Sequence, residues 1–149
     1  MTTSRPFSRK RRVLGRALAD TSALLALASR EDQFHERARQ IASGFIGAGG
    51  RFVGTALILG ELHALLVRRA EPPAARAGLA ALLSDPAYQW LDVSVELESV
   101  AMDSWLGRFA DQRFSLTDAV SFEVMRRERI SRAFAFDQHF VTAGFELLG

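Results

Sequence analysis

Two kinds of apolar segment alternate along the chain, separated by polar or glycine-containing stretches. Short apolar runs predict strands at 13–19 (VLGRALA), 51–56 (RFVGTA), 88–95 (YQWLDVSV), 132–137 (RAFAFD) and 145–148 (FELL). Apolar residues at helical spacing predict helices at 20–32, 34–46, 57 to about 69, 71–86, 96–111 and 114–130, with a single turn at 138–144. The chain therefore alternates strands and helices from beginning to end.

This alternation indicates the fold class. Consecutive strands joined through helices form right-handed crossovers and a parallel sheet covered on both faces, which makes three α/β/α layers. The 149 residues suit one core, so we predict a single domain over 13–149. In such sheets the active site lies beyond the carboxyl ends of the strands, at the point where the strand order reverses.

Composition excludes several classes of protein. The chain has no cysteine, which removes disulfides, zinc–thiolate sites and thiol nucleophiles and favours a reducing, cytoplasmic compartment. No apolar run approaches the roughly 20 residues that span a bilayer, so we expect no membrane association. The basic N-terminus also lacks the apolar stretch of a secretory signal.

The basic charge is concentrated at the N-terminus. Six of the 19 Lys and Arg residues lie in residues 1–16, where no acid occurs, leaving 13 basic against 17 acidic residues in the rest of the chain. We predict that residues 1–12 form a disordered basic tail. Such a tail can attract nucleic acid through its phosphates, or it can be a solvated extension without a partner.

Three aspartates occupy positions where a site is expected. Asp20 and Asp137 end predicted strands, and Asp118 opens a helix in the sequence SLTD. Each also has a structural interpretation. Asp20 suits a helix N-cap, Asp118 suits a capping box with Ser115, and Asp137 suits a polar residue where a buried strand reaches the surface.

Glu61 is an acid within an apolar helical segment, ALILGELHALL. Helical spacing places it on the same face as Leu57, Ile58 and Leu65. Burying an unpaired carboxylate is costly, so the group needs a cation or a proton. We therefore expect Glu61 to be compensated by a bound cation, unless the helix is rotated or frayed at Gly60.

Four carboxylates at one edge of the sheet repel one another unless cations lie between them. Oxygen ligands without a cysteine or histidine cluster favour magnesium or manganese over zinc. Such a site suits hydrolysis at phosphorus, in which the metal activates a water molecule and stabilises the leaving oxygen.

The same residues carry a family resemblance. The segments DTSALLAL, GELHALL, FSLTDAVSFEVMRRERI and AFAFDQHFVTAGFELL, in this order, resemble PIN-domain ribonucleases, in particular the VapC-like toxins of bacterial type II toxin–antitoxin modules. The similarity runs from about residue 17 to 149 and is most specific in the last 36 residues. It implies a central parallel sheet ordered 3-2-1-4-5 and Mg2+- or Mn2+-dependent endonucleolytic cleavage of RNA. It also implies a cognate antitoxin and homodimers.

The resemblance implies a set of site residues. The acidic positions are Asp20, Glu61, Asp118 and Asp137, and the supporting hydroxyl positions are Ser22 and Thr117. We interpret Asp20 and Asp118 as direct metal ligands. Glu61 and Asp137 complete the site as ligands of the same metal, ligands of a second metal, or residues that hold water.

Two other functions are compatible with the pattern. One is a PIN-fold module that binds RNA or a partner protein with little or no catalytic activity. The other is a haloacid-dehalogenase-like hydrolase with Asp20 as covalent nucleophile, which is disfavoured because Ser22 stands where a second aspartate is required.

Several further residues have a structural interpretation beside a functional one. His139 either contacts a phosphate or caps the turn after Asp137. Arg126, Arg127 and Arg129 complement the dipole at the end of their helix. Aromatic residues at apolar positions are expected in the core or at a dimer interface rather than stacked on bases, namely Trp90, Trp105, Phe134 and Phe136.

Overall fold

A computed structural model describes residues 15–149, so the predicted tail and residues 13–14 lie outside the described residues. Its sheet contains strands Arg16–Ala19 (β1), Arg51–Thr55 (β2), Tyr88–Leu91 (β3), Arg132–Phe134 (β4) and Glu146–Leu147 (β5). All neighbouring strands are parallel, and their order is β3-β2-β1-β4-β5. The predicted fold class and strand order are confirmed.

Within residues 15–149, seven α-helices flank the sheet. They are Thr21–Ala28 (α1), His35–Gly47 (α2), Ala56–Arg69 (α3), Pro72–Ser84 (α4), Val95–Ala101 (α5), Leu116–Glu128 (α6) and His139–Thr142 (α7). Helices α1, α2, α3 and α4 contact one another in one group, and α5 contacts α6 in a second group. The strand order reverses between β1 and β4, which places the topological switch point there. No helix within residues 15–149 is long and apolar enough to cross a membrane.

Two predicted strands end earlier than the apolar pattern suggests. β3 ends at Leu91 because Ser94 caps α5, accepting a hydrogen bond from the backbone N–H of Leu97 at 3.0 Å. β4 ends at Phe134, and the N–H of Phe136 donates to the Ser22 hydroxyl at 3.1 Å instead of continuing the strand. In both places a serine hydroxyl accepts a hydrogen bond from the backbone shortly after the strand ends, and the chain leaves the extended conformation although the apolar pattern continues.

The core is built around β1, which lies at the centre of the sheet. Ala17, Leu18 and Ala19 are completely buried. The ring of Phe134 on β4 stacks against that of Phe52 on β2 across this small-residue strand, with centroids 5.1 Å apart. Phe134 was predicted to pack in the core or at a dimer interface, and its complete burial shows that it lies in the core.

Residues 96–111, predicted as one amphipathic helix, form α5 followed by a π-helical segment, Met102–Gly107. In this wider turn Trp105 is buried, and its ring lies 5.2 Å from that of Phe122. The indole Nε1 donates to Oε1 of Glu123 at 3.2 Å. The π-helical segment is therefore joined to α6 through a buried polar contact that the sequence pattern did not indicate.

Glu123 has a completely buried side chain and is paired with two arginines. Arg126 approaches its two oxygens at 3.0 and 2.6 Å, and Arg127 approaches one at 2.7 Å. Hydrogen bonds from Arg126, opposed by burial and assisted by Arg127, lower the pKa of Glu123 to about 2. Arg126 and Arg127 therefore pair with a specific carboxylate in addition to complementing the helix dipole.

Glu123→Gln is expected to lower the free energy of unfolding by about 2 kcal/mol at neutral pH, because charge-assisted hydrogen bonds to both arginines are lost. The contribution is complete above the ordinary Glu pKa and disappears as the pH falls towards about 2. Urea unfolding from pH 7 to pH 2.5 should therefore show the two proteins converging at acid pH. Glu36→Gln is the matched control, because Glu36 pairs with Arg39 at the same helical spacing on an exposed face. Equal losses in the two variants would contradict this account.

Candidate active site

The carboxyl edge of the sheet at the switch point carries the first predicted acid. Asp20 directly follows β1, and its backbone N–H donates to the carbonyl oxygen of Phe134 at 2.9 Å, which joins it to the end of β4. This parallel pairing brings the segments after β1 and β4 to the same place, as the prediction for Asp20 and Asp137 required.

Asp20 is a buried carboxylate that has no cationic partner among residues 15–149. Its side chain caps α1, and Oδ2 accepts hydrogen bonds from the Ser22 hydroxyl at 2.7 Å and from the Ser22 N–H at 3.3 Å. Only 5% of the residue is exposed, and no basic residue within 15–149 forms an ion pair with it. Burial raises the pKa of Asp20 to about 6; the Ser22 hydroxyl opposes this shift and the charge of Asp118 adds to it. Asp20 is thus both the helix cap and an acid that is destabilised when ionised.

The hydroxyl of Ser22 connects two segments of the site. It donates to Asp20 and accepts from the N–H of Phe136, so the start of α1 is joined to the chain that follows β4. Thr117, the other predicted hydroxyl, lies half-buried in the first turn of α6, and no residue within 15–149 forms a hydrogen bond with its side chain. The structure therefore gives Ser22 a supporting contact and gives Thr117 none.

Two nitrogen atoms contact the same oxygen of Asp118. It forms a capping box with Ser115, whose backbone N–H donates to Asp118 Oδ2 at 2.9 Å. His139 Nδ1 lies 3.0 Å from the same oxygen. The charge of Asp118 also adds to the raised pKa of Asp20, so the two carboxylates lie near each other.

Asp137 follows β4 by three residues and is joined to His139. Its Oδ1 accepts from the backbone N–H of His139 at 2.8 Å, and its Oδ2 lies 3.4 Å from His139 Nδ1. The ring of His139 packs edge-on against Phe114, with centroids 5.3 Å apart. His139 therefore lies between Asp118 and Asp137. The hydrogen bond from the His139 N–H to Asp137 belongs to a common type of aspartate turn that the sequence predicts. The contact of His139 with Asp118 joins residues 21 positions apart, and local sequence rules do not predict it.

Glu61 lies apart from this cluster in the contacts that the described residues make. The buried positions of α3 are Ile58, Leu62 and Leu66. Glu61 is half-buried beside this stripe rather than within it, because it is rotated by about 100° from Leu62 around the helix. It forms no hydrogen bond or ion pair with residues 15–149, so its carboxylate is available to a ligand. Leu57 and Leu65, which the sequence places on the same helix face as Glu61, are half-buried like Glu61, whereas Ile58 is fully buried.

The described residues bring together Asp20, Asp118 and Asp137, with His139 between the last two. Within residues 15–149, no group of three or more His, Asp or Glu side chains is arranged to hold a metal ion in a ready-made site. The chemistry of the donors nevertheless fits a hard divalent cation. Asp20 is buried with only neutral hydrogen-bond donors beside the negative charge of Asp118, and a cation there would compensate both carboxylates.

Comparison with known proteins gives consistent matches. Residues 17–146 match the PIN domain. Over 88 residues the chain is 42% identical to the 23S rRNA-specific endonuclease VapC20 of Mycobacterium tuberculosis, in two strains. That alignment covers 59% of this chain and 66% of the relative's length.

Solved structures show the same fold. The crystal structure of Mycobacterium tuberculosis VapC20, described as a sarcin–ricin loop cleaving toxin, aligns with a TM-score of 0.78 and 33% identity over 87% of this chain and 95% of that one. VapBC2 from Rickettsia felis bound to promoter DNA (TM-score 0.64, 10% identity, 89% of this chain and 96% of that one) resembles it in fold alone. The same holds for FitAcB from Neisseria gonorrhoeae (0.63, 12%, 89% and 96%). Since the PIN-domain match spans most of the sequence, the chain belongs to the PIN-domain family.

Proposed function

We propose that this protein is a metal-dependent endoribonuclease that acts as the toxin of a toxin–antitoxin pair. One observation supports the catalytic function above the others. A nearly fully buried carboxylate, Asp20, lies at the switch point beside the charge of Asp118, and the only hydrogen-bond donors it has in the described part of the chain are neutral. Ionised Asp20 destabilises the fold, and a cation bound beside it would compensate the buried charge.

In this proposal Asp20 and Asp118 would hold Mg2+ or Mn2+. When bound, the metal supplies an activated water molecule and stabilises charge at the leaving oxygen. The residues of the chain orient the ligands: Ser22 fixes Oδ2 of Asp20, and Ser115 fixes Oδ2 of Asp118. Glu61, a half-buried carboxylate with no partner among residues 15–149, completes the site as a further ligand or by holding water.

A module that binds RNA or a partner without cleaving it is the second candidate. Binding of a phosphate backbone requires cations and hydrogen-bond donors rather than buried carboxylates. The acids at the switch point would weaken such binding, because they repel phosphate unless a metal lies between them. The acidic character of the site therefore favours the nuclease over the binding module.

The substrate and partners are proposed from similarity. VapC20 is named for action on 23S rRNA, so ribosomal RNA is the first substrate to test. The likeness to VapBC2 and FitAcB supports a cognate antitoxin as partner. We further propose a homodimer in the cytoplasm, as is usual for the family.

The nucleophile is tested with an RNA oligonucleotide that carries a single 2′-deoxy substitution at the cleaved position. Because the proposed nucleophile is a water molecule and not the 2′-hydroxyl of the substrate, the substituted RNA should still be cut at a rate within about 10-fold of the unmodified RNA. Purified, antitoxin-free protein, ribosomal RNA fragments and denaturing gels are sufficient for the measurement. Complete loss of cleavage in the 2′-deoxy RNA would instead indicate attack by the neighbouring 2′-hydroxyl. Absence of cleavage in every RNA would favour the binding module.

A further inference from the structure

His139 contacts two of the acids at the site, and the proposed function gives it no role. Its ring Nδ1 is 3.0 Å from Asp118 Oδ2 and 3.4 Å from Asp137 Oδ2, and its backbone N–H donates to Asp137 Oδ1 at 2.8 Å. One residue thus contacts two acids that come from different elements, one at the start of α6 and one after β4.

The carboxylate oxygens of Asp118 and Asp137 have different hydrogen-bond partners. Oδ2 of Asp118 is already contacted by Ser115 N–H and His139 Nδ1, whereas Oδ1 has no hydrogen-bond partner within residues 15–149 and can bind a ligand. Asp137 has both oxygens directed to His139. The two acids are therefore not equivalent, because only Asp118 keeps an oxygen without a hydrogen-bond partner among residues 15–149.

We propose that His139 is a positioning residue that fixes the carboxylate of Asp118, so that Oδ1 is presented to a divalent cation beside Asp20. Asp137 orients His139 and is not itself a required metal ligand. This inference rests on the proposed metal-dependent function and refines it. Hydrogen bonds to ligating carboxylates of this kind typically change metal affinity or activity by about 10- to 100-fold.

The proposed positioning of Asp118 depends on the imidazole ring of His139 and not on its backbone turn with Asp137. Any residue at position 139 except proline can supply the backbone N–H that Asp137 accepts, whereas the contact with Asp118 needs a donor at the position of Nδ1. Both the neutral ring with its hydrogen on Nδ1 and the charged ring provide this donor. The edge contact with Phe114 supports the ring in this orientation.

Three substitutions of His139 distinguish the effect of losing the Nδ1 donor from the effect of losing the aromatic ring. His139→Phe keeps an aromatic ring against Phe114 and removes the donor. His139→Asn places an amide N–H near the position of Nδ1, and His139→Gln places the same group one bond further out. His63→Phe, on α3 and outside the cluster, is the control.

The dissociation constant for Mn2+, measured by isothermal titration calorimetry without RNA, is the readout. We expect His139→Phe and His139→Gln to raise it by about 10- to 100-fold, and His139→Asn and His63→Phe to stay within about 3-fold of the unmodified protein. Urea unfolding of each metal-free variant reports its folding separately. If His139→Phe remains folded and keeps the original Mn2+ affinity, or if His139→Asn loses as much affinity as His139→Phe, the positioning role is wrong.

The outcome also separates this inference from the proposed function. If the unmodified protein binds Mn2+ and cuts RNA while all His139 variants do the same, only the role of His139 is refuted. If the unmodified protein neither binds Mn2+ nor cuts RNA, the proposed function fails and the role of His139 fails with it.

Discussion

Asp118→Asn is expected to lower the rate of RNA cleavage by at least about 100-fold while the protein stays folded. Removing a residue that only supports a metal ligand costs about 10- to 100-fold, so removing the charge of a direct ligand should cost no less. The asparagine oxygen can still accept from the N–H of Ser115, which preserves the cap of α6. The loss is measured as a single-turnover rate in saturating Mg2+, alongside circular dichroism and urea unfolding.

Asp85→Asn is the matched control for this substitution. Asp85 also accepts a backbone N–H, from Ala87 at 2.9 Å, but it lies at the end of α4 and outside the acidic cluster. We expect it to leave the cleavage rate unchanged. Full activity of Asp118→Asn with an unaltered Mg2+ dependence would remove Asp118 from the metal site.

Asp20→Asn should produce two opposite effects, abolishing cleavage and stabilising the metal-free protein. The folded-state pKa of Asp20 is about 6, above the ordinary value of 3.8, so its favourable contribution is complete below pH 3.8 and is lost as the pH rises through 6. At pH 7.5 the ionised carboxylate therefore costs up to about 3 kcal/mol, which a neutral asparagine avoids. Asparagine can still accept the two hydrogen bonds from Ser22.

Urea unfolding in chelator, from pH 4 to pH 8, measures this effect. The free energies of unfolding of the two proteins should be similar near pH 4 and separate as the pH rises through 6, with the variant the more stable. Added Mg2+ should narrow the difference, since it stabilises only the protein that binds it. If the metal-free variant has the lower free energy of unfolding at pH 7.5, Asp20 stabilises the fold through a structural partner, and the assignment as a metal ligand is contradicted.

The fold was readable from sequence because strand and helix patterns alternate and because their connections have a fixed handedness. β1 shows the limit of local propensity. Its sequence, RALA, has no β-branched residue, and it forms a strand because two neighbours pair with it at the centre of the sheet. The early ends of β3 and β4 were not readable from apolar pattern alone, since side-chain oxygens of Ser94 and Ser22 capture the backbone there.

The site was readable only in part. Asp20 and Asp118 occupy capping positions that sequence rules identify, and the strand order places Asp20 and Asp137 at the same edge of the sheet. The contact of His139 with Asp118 depends on how α6 packs near α7, which no local pattern encodes. The burial of Glu123 was missed for a related reason. A glutamate three and four residues before two arginines reads as an exposed ion pair unless Trp105 is known to cover it.

The central claim, that Asp20 and its neighbouring acids form a metal-dependent RNA-cleaving site, is tested most directly by the Mg2+ dependence of cleavage. Purified, antitoxin-free protein is incubated with ribosomal RNA in chelator, and the cleavage rate is then followed as Mg2+ or Mn2+ is restored. We predict no cleavage in chelator and recovery of the full rate on addition of either metal. Cleavage that continues unchanged in chelator would contradict the account.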